Sequence, residues 1–217
     1  MLRRRFLPAL AGAFLVARCG GESLPPPGPP AQVVKSGGDQ QSWYFSNPLP
    51  FSYRVTVQDA NGRGVPGVSV SWAVTAGSGS IAPAANVTDG NGQATATHTL
   101  GPSETAHQAT ATAPNLPLVT FTATASTPPT TAGVAVQNNF FNPDFAGVQV
   151  DGTVTWTWNS GLVEHNVVFT GGPQPLPTSS GVKSTPGTYT WTFGTVGTYT
   201  YVCSIHDFMS GRVVVVQ

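Results

Sequence analysis

Residues 203–209 read Cys-Ser-Ile-His-Asp-Phe-Met and bring a thiol, an imidazole and a thioether together at C-x2-H-x2-M spacing. Cys203 is the only cysteine downstream of Cys19, and Met209 is the only methionine besides the initiator. A second histidine, His165, stands at the start of another alternating run. These four side chains make a set of two His, one Cys and one Met. Such a set suits copper, because soft sulfur ligands favour Cu(I) and imidazole suits both oxidation states.

The run before this loop alternates as a β-strand does. Tyr199, Tyr201 and Cys203 fall on one face, and the residues between them fall on the other. We therefore expect three ligands to come from one tight loop after a strand, and His165 from the end of another strand. In this arrangement the rigid sheets would fix the site.

The composition predicts an all-β protein. The chain has 217 residues with 25 Gly and 20 Pro, only 8% of its residues are charged, and Thr and Val are abundant. Such a composition favours short strands joined by many turns. We expect two antiparallel β-sandwich domains after an export signal, because the length suits two small domains.

The charge pattern excludes nucleic acid as a partner. The formal net charge is zero, but the first 18 residues hold four of the nine basic residues. Their removal leaves five basic residues against nine acidic ones. Nucleic-acid binding needs clustered Lys and Arg that neutralise phosphates, and the mature chain is mildly acidic instead.

Residues 1–19 are predicted to be an export signal. A basic start is followed by an apolar run from Phe6 to Ala17, which is too short for an ordinary membrane-spanning helix. Residues 15–19 resemble a lipoprotein box, apart from Arg18, where that family has a small residue. Lipidation at Cys19 and simple cleavage therefore both stay open. The arginines at positions 3–5 also resemble a twin-arginine signal or an ordinary basic start.

Two proline-rich stretches divide the rest of the chain. Residues 20–31 form a Pro-rich linker, which favours extended polyproline II geometry and is expected to act as a spacer. Residues 126–131 form a second, stiff linker. The first domain then covers residues 32–125, and the second covers residues 132–217, whose many aromatic rings can fill a core of their own.

The first domain resembles the bacterial immunoglobulin-like (Ig-like) group 1 domains of invasin-type surface proteins. The resemblance rests on residues 57–62, 65–70 and 88–94, with their Asp-Ala-Asn-Gly and Asp-Gly-Asn-Gly turns. It implies a sandwich that serves as a stalk or an adhesive surface. His98 and His107 lie in this domain without a partner at ligand spacing, and we interpret both as ordinary strand or loop residues.

The second domain resembles the cupredoxins, and its ligand loop is most similar to that of amicyanin. The resemblance rests on the loop and on residues 141–143, 152–156 and 165–167. It implies a Greek-key sandwich with one copper ion, cycling between Cu(I) and Cu(II). The implied ligands are His165, Cys203, His206 and Met209. Asn166 matches the family residue that tethers the ligand loop and donates a hydrogen bond near the sulfur, and His206 matches the exposed ligand through which electrons leave.

The loop departs from the amicyanin pattern at Ile205 and Asp207, where such loops often have proline. At Ile205 a backbone amide becomes available that proline would lack. We predict that this amide donates a hydrogen bond to the Cys203 thiolate and raises the reduction potential. Asp207 is interpreted as a solvated carboxylate.

Together these features predict an electron-transfer protein that is not an enzyme. Its partners would be an unidentified redox donor and acceptor, with no small-molecule substrate, and it would be exported to the periplasm or cell surface. A copper enzyme would need further histidines for a second centre, and residues 132–217 contain only two. The alternative is a surface adhesion or copper-holding protein in which the Ig-like domain has the main role.

Overall fold

The computed structural model describes residues 25–184 and 186–217, so the predicted export signal and Cys19 lie outside the described residues. Seventeen strands run through this part of the chain and no helix interrupts them, which confirms the all-β class. Among those residues no helical segment has the length and hydropathy that a membrane crossing needs.

The first nine strands form a sandwich of two sheets, with the orders β1-β3-β7-β5 and β2-β9-β8-β4-β6. Alternation in the sequence builds its core, because every second residue of β3 and of β7 is buried. The nine strands are β1 (Gln32–Gly37), β2 (Gln41–Tyr44), β3 (Tyr53–Gln58), β4 (Ser69–Ala76), β5 (Gly79–Ala82), β6 (Ala85–Val87), β7 (Gln93–Leu100), β8 (Ala106–Thr112) and β9 (Val119–Ser126).

The described part of the Pro-rich stretch lies against this first sandwich and does not stand free as the expected spacer would. The amide of Gly28 donates to the Asp59 carboxylate at 2.8 Å, and the Arg63 guanidinium donates to the carbonyl of Pro25 at 2.8 Å. Asp59 is nearly fully buried and also accepts from the backbone amides of Asn61 and Arg63. A single carboxylate thus joins a turn of the domain to the segment that leads into it.

The last eight strands form a second sandwich, with the sheet orders β11-β10-β13-β15 and β12-β17-β16-β14. Each sheet includes one parallel pair, β10 with β13 and β12 with β17. The eight strands are β10 (Thr131–Gln137), β11 (Phe140–Asn142), β12 (Phe145–Gln149), β13 (Gly152–Trp158), β14 (Val168–Gly171), β15 (Thr188–Phe193), β16 (Gly197–Val202) and β17 (Ser210–Val216).

Large aromatic rings fill the core of this second sandwich. Trp156 packs edge-on against Tyr201 and Phe169, at centroid distances of 5.4 and 5.8 Å. Burial raises the pKa of Tyr201 to about 12, so its phenol stays neutral in the core. Tyr199 and Tyr201 are buried on the face that the alternation predicted, and this face continues into buried Cys203.

Residues 43–49 join the two sandwiches, and we call them the latch. The rings of Trp43 and Phe145 lie 5.9 Å apart, centroid to centroid. Asn47 pairs with both backbone groups of Gln217: its Oδ1 accepts from the amide at 3.2 Å, and its Nδ2 donates to the carbonyl at 3.5 Å. The buried Asn47 side chain therefore binds the backbone just after the last strand of the second sandwich and connects it to the first sandwich.

Gly147 has no side chain, and this allows the latch to lie close to the second sandwich. A Cβ at Gly147, on β12, would lie 2.6 Å from the hydroxyl oxygen of Tyr44, so only glycine leaves room for that ring. Residues 127–130 connect β9 to β10 and are the only chain connection between the two sandwiches in the described residues.

We predict that Asp59→Asn lowers the melting temperature of the first sandwich at neutral pH. Hydrogen bonds, the largest from the Gly28 amide, hold the pKa of Asp59 well below its usual value. The ionised Asp59 carboxylate therefore stabilises the folded state. This stabilisation is fully present above the unfolded pKa of about 3.9 and is lost as the pH falls through the folded pKa. Circular dichroism melts should therefore show the difference from the wild type shrinking in strong acid.

Asp89→Asn is the matched control. Its carboxylate accepts the same kind of turn hydrogen bonds, from the amides of Asn91 and Gln93, but it is exposed and has no arginine. A smaller effect is expected. Equal effects for Asp59→Asn and Asp89→Asn would contradict the role assigned to Asp59.

Candidate metal centre

Three side chains converge at one end of the second sandwich. The donor atoms of His165, Cys203 and His206 all lie within 4.8 Å of one another. The sulfur of Cys203 is 3.8 Å from Nδ1 of His165 and 3.6 Å from Nδ1 of His206.

These separations fit a shared ion. Metal–sulfur and metal–nitrogen distances of about 2.3 and 2.1 Å, as at zinc sites, put the sulfur and nitrogen about 3.5–3.8 Å apart at tetrahedral or trigonal angles. A thiolate with two imidazoles is a donor set that copper accepts. The three residues therefore fit a metal ion in both distance and chemistry.

His165 reaches this point from the segment between β13 and β14. Its backbone forms a two-way bridge with Lys183, with N···O distances of 3.0 and 2.9 Å. Its carbonyl also accepts a hydrogen bond from Nε1 of Trp158 at 3.2 Å. With its backbone held on both sides, the fully buried imidazole has little freedom to turn away from the sulfur.

Cys203, His206 and Met209 come from the loop between β16 and β17. The Cys203 amide donates to the carbonyl of Met209 at 2.9 Å, which closes the loop on itself. Both side chains are buried and belong to the hydrophobic core of the second sandwich. The backbone thus brings Met209 next to Cys203, while the assignment of its thioether as a ligand stays a prediction.

Asn166 ties the two ligand-bearing segments together. Its Oδ1 accepts from the Ser204 amide at 2.8 Å, and its Nδ2 donates to the Ser204 hydroxyl at 2.9 Å. These bonds cross 38 positions of sequence and connect the neighbour of His165 to the neighbour of Cys203. The further role assigned to Asn166, a hydrogen bond near the sulfur, stays a prediction.

The structure leaves the role of Ile205 untested. The sulfur of Cys203 has hydrogen-bond contacts with the two imidazoles, and the Ile205 amide is not among its contacts in the described residues. The Ile205 side chain is 42% exposed. A hydrogen bond from this amide to the thiolate remains a prediction.

The surroundings of His165 favour its neutral, metal-binding form. Burial lowers the pKa of His165, and the nearby His206 lowers it further. A neutral imidazole offers a lone pair to a metal, whereas an imidazolium does not. His165 is therefore ready to act as a ligand at neutral pH.

One rim of the site is apolar and open to solvent. His206 is partly exposed, while Ile205 and Phe208 beside it present exposed apolar side chains. Phe208 is fully exposed and adopts a left-handed backbone with φ of 66°. The rim therefore presents an apolar surface to solvent next to His206, a candidate metal ligand.

Outside this centre the sequence interpretation missed one arrangement. His98 and His107 are both fully buried and lie with ring centroids 5.7 Å apart, on strands of opposite sheets in the first sandwich. The alternation in β7 could have indicated that His98 is buried, because His98 shares the inward face of this strand with Ala96 and Leu100. Spacing along the chain could not show that a residue of β8 would meet it.

Two protein families match consecutive parts of the chain that overlap at residues 130–137. Residues 50–137 match the bacterial Ig-like domain (group 1), and residues 130–216 match the copper binding proteins of the plastocyanin/azurin family. Amicyanin-alpha of Methylorubrum extorquens is 39% identical over 69 residues, which cover 31% of this chain and 57% of that relative. The match thus spans little more than half the length of this relative.

Solved structures with similar chains include further copper proteins. A purple cupredoxin from Nitrosopumilus maritimus is 27% identical, with 39% of this chain and 98% of that chain covered and a TM-score of 0.35. An oxidised variant of amicyanin is 31% identical, with 39% of this chain and 81% of that chain covered and a TM-score of 0.36.

We predict that Asn166→Ala loosens the ligand loop. The change removes both bonds to Ser204 and leaves its amide without a partner, which should lower the free energy of unfolding by about 1–3 kcal/mol. Residues that orient metal ligands typically contribute 10–100-fold to metal affinity, so a loss of about that size is expected for Cu(II). Urea unfolding and competitive copper titration measure the two effects.

Ser204→Ala is the matched control for this prediction. It removes the bond to Nδ2 and keeps the bond from the Ser204 amide to Oδ1 of Asn166. A clearly smaller loss of affinity is expected, and an Asn166→Ala protein with wild-type affinity would show that the tether has no part in holding the site.

Proposed function

We propose that this chain is a one-electron carrier of the cell envelope, because residues 130–216 match the plastocyanin/azurin family of copper-binding proteins and residues 50–137 match the group 1 bacterial Ig-like domains. The observation that carries the proposal is the convergence of His165, Cys203 and His206 on one point. A copper ion bound there supplies the Cu(I)/Cu(II) couple.

The proposed copper site consists of His165, Cys203 and His206, with Met209 as the weak fourth ligand. The buried Cys203 sulfur and Met209 side chain give the site its soft donors, and the imidazoles complete it. Asn166 keeps the His165 segment and the ligand loop in register. Because the His165 segment and the ligand loop are bonded to each other, the donor atoms stay in place. Little therefore has to move when a bound copper ion gains or loses an electron.

Electrons are proposed to leave through His206. This imidazole is the only one of the three converging donors that is not fully buried, and apolar Ile205 and Phe208 flank it. An apolar rim allows a redox protein to approach without a large desolvation penalty. The partner classes are therefore a protein donor and a protein acceptor.

The site supports electron transfer better than catalysis. Both histidines of residues 132–217 belong to the one donor set, so the domain has no further imidazoles for a second, substrate-binding centre. The adhesive alternative assigns the main role to the Ig-like domain, and no contact described above favours it.

Export to the periplasm or cell surface is part of the proposal. It is supported by the predicted signal in residues 1–19 and by the match to bacterial Ig-like domains. Lipid attachment at Cys19 and simple cleavage are the two forms that this export can take. In either form the Ig-like domain would support the copper domain.

The proposed copper site has a direct spectroscopic test. Purified protein titrated with Cu(II) should bind one equivalent and become intensely coloured through thiolate-to-copper charge transfer, with matching changes in electron paramagnetic resonance. Cys203→Ala should remove the colour. His107→Gln, a histidine change in the other domain, should keep it, and a colourless wild-type protein would refute the proposal.

A second test concerns Ile205. Ile205→Pro removes the amide proposed to stabilise the thiolate, so the reduction potential measured by potentiometry should fall. Ile205→Val keeps the amide and a branched apolar side chain, and it should leave the potential unchanged. A potential that stays the same or rises in Ile205→Pro contradicts the proposed hydrogen bond.

A further inference from the structure

The buried histidine pair of the Ig-like domain is incompletely hydrogen-bonded. His98 on β7 and His107 on β8 are fully buried, and neither Nε2 has a hydrogen-bond partner in the described part of the chain. Buried polar atoms without partners are uncommon in native proteins, since each costs about 1–3 kcal/mol. Two of them 5.7 Å apart by ring centroid therefore point to a role beyond packing.

The surroundings of the pair suit neutral rings. Nδ1 of His98 lies 3.2 Å from the hydroxyl of Tyr53, and Nδ1 of His107 accepts from the amide of Gly101 at 3.5 Å. Because Nδ1 of His107 acts as an acceptor, the proton of the neutral ring sits on Nε2. A second proton on Nδ1 would face the Gly101 N–H, donor against donor.

In residues 25–184 and 186–217 no carboxylate forms a hydrogen bond or an ion pair with either imidazole. The titratable groups that face His98 are the Tyr53 phenol and the ring of His107. The Asp39 carboxylate, whose charge reaches Tyr53, is already paired with Lys35. Burial lowers the pKa of His98, His107 lowers it further, and the backbone of Ser78 opposes the shift only in part.

The end of β7 that carries His98 also binds the latch. Residues 46–49 lie along residues 98–101 in an antiparallel arrangement, with a bridge between Pro48 and Thr99. Three backbone hydrogen bonds fix them there: from the Leu49 amide to the His98 carbonyl at 2.9 Å, from the Leu100 amide to the Asn47 carbonyl at 3.0 Å, and from the Ser46 amide to the Gly101 carbonyl at 3.1 Å.

The two observations connect through His98 and Gly101. The carbonyl of His98 holds Leu49, and Gly101 donates to His107 while its carbonyl holds Ser46. Any movement that hydrates a charged imidazole therefore disturbs the residues to which the latch is bonded. Asn47, in the middle of the latch, is the residue that binds Gln217 of the copper domain.

We propose that the His98–His107 pair makes the interdomain latch acid-labile. Protonation of His98 beside His107 loosens residues 98–101, residues 46–49 leave β7, and Asn47 releases Gln217, so the copper domain keeps only the Trp43 and Tyr44 contacts to the first sandwich. At neutral pH the uncharged pair keeps the latch closed and the two domains act as one body. The device is independent of copper and does not rest on the proposed redox function.

The direction and steepness of the pH response follow from linkage. The open state binds protons more readily than the closed state, so the ratio of open to closed molecules rises as the pH falls below about 6.5, the ordinary imidazole value. Each proton taken up on opening multiplies that ratio by about tenfold per pH unit.

The test is an NMR titration of the copper-free protein from pH 7.5 to 5. The imidazole signals of His98 and His107 report protonation, and the amide signals of Leu49 and Gln217 report the latch contacts. The two sets of signals are expected to change with one midpoint. Asn47→Ala at pH 7.5 should already show the Gln217 signal at its open position.

The control is the double variant His98→Gln, His107→Gln, which keeps His165 and His206. Its Gln217 signal should no longer respond between pH 7.5 and 5, so any response from the metal centre would be seen separately. The titration of the unmodified protein decides the question even if this variant does not fold. The proposal fails if the pair protonates while Gln217 stays unchanged, or if neither ring takes a proton before the whole chain unfolds.

Discussion

The metal centre depends on holding two chain segments in one fixed register, although they lie 38 positions apart in sequence. The pairing of β14 with β16 sets Val168 opposite Val202, and the ligand-bearing residues continue directly from these strands. Asn166 then bonds Ser204 twice beyond the last strand pair. The sheets supply the coarse register and one amide side chain completes it, so the three donors meet at one point.

Much of this could be predicted from the sequence, because the decisive signals are local. Alternation in β16 fixes which face carries Tyr199, Tyr201 and Cys203, and a short loop forces His206 and Met209 to stay near the thiol. Contacts between distant segments could not be predicted in the same way. Neither the meeting of His98 with His107 across two sheets nor the bonds from Asn47 to Gln217, 170 positions apart, leaves a pattern in the spacing of residues. Likewise, the contact between the Pro-rich segment and the first sandwich depends on the buried carboxylate of Asp59, and composition does not reveal such a contact.

The two sandwiches fill their interiors differently. The copper domain packs large rings edge to face around Trp156, which gives a dense, apolar core beside the ligands. The Ig-like domain mixes a few rings, such as Tyr53 and Phe121, with small residues, such as Ala94, Ala96, Ala109 and Ala111. The small side chains leave room for two imidazoles between the sheets, beside the Tyr53 ring. Polar groups therefore sit in the core of one domain while the candidate copper ligands lie in the other.

The short connection at residues 127–130 has a further consequence for how firmly the latch must bind. Four residues can span at most about 14 Å, so a released domain stays next to its docking surface. Re-closure is then a unimolecular event, with an effective local concentration on the order of millimolar, the value typical of short linkers. Contacts too weak to hold two separate proteins together would therefore suffice to keep the domains closed. The loss of very few of these contacts would be enough to favour the open arrangement.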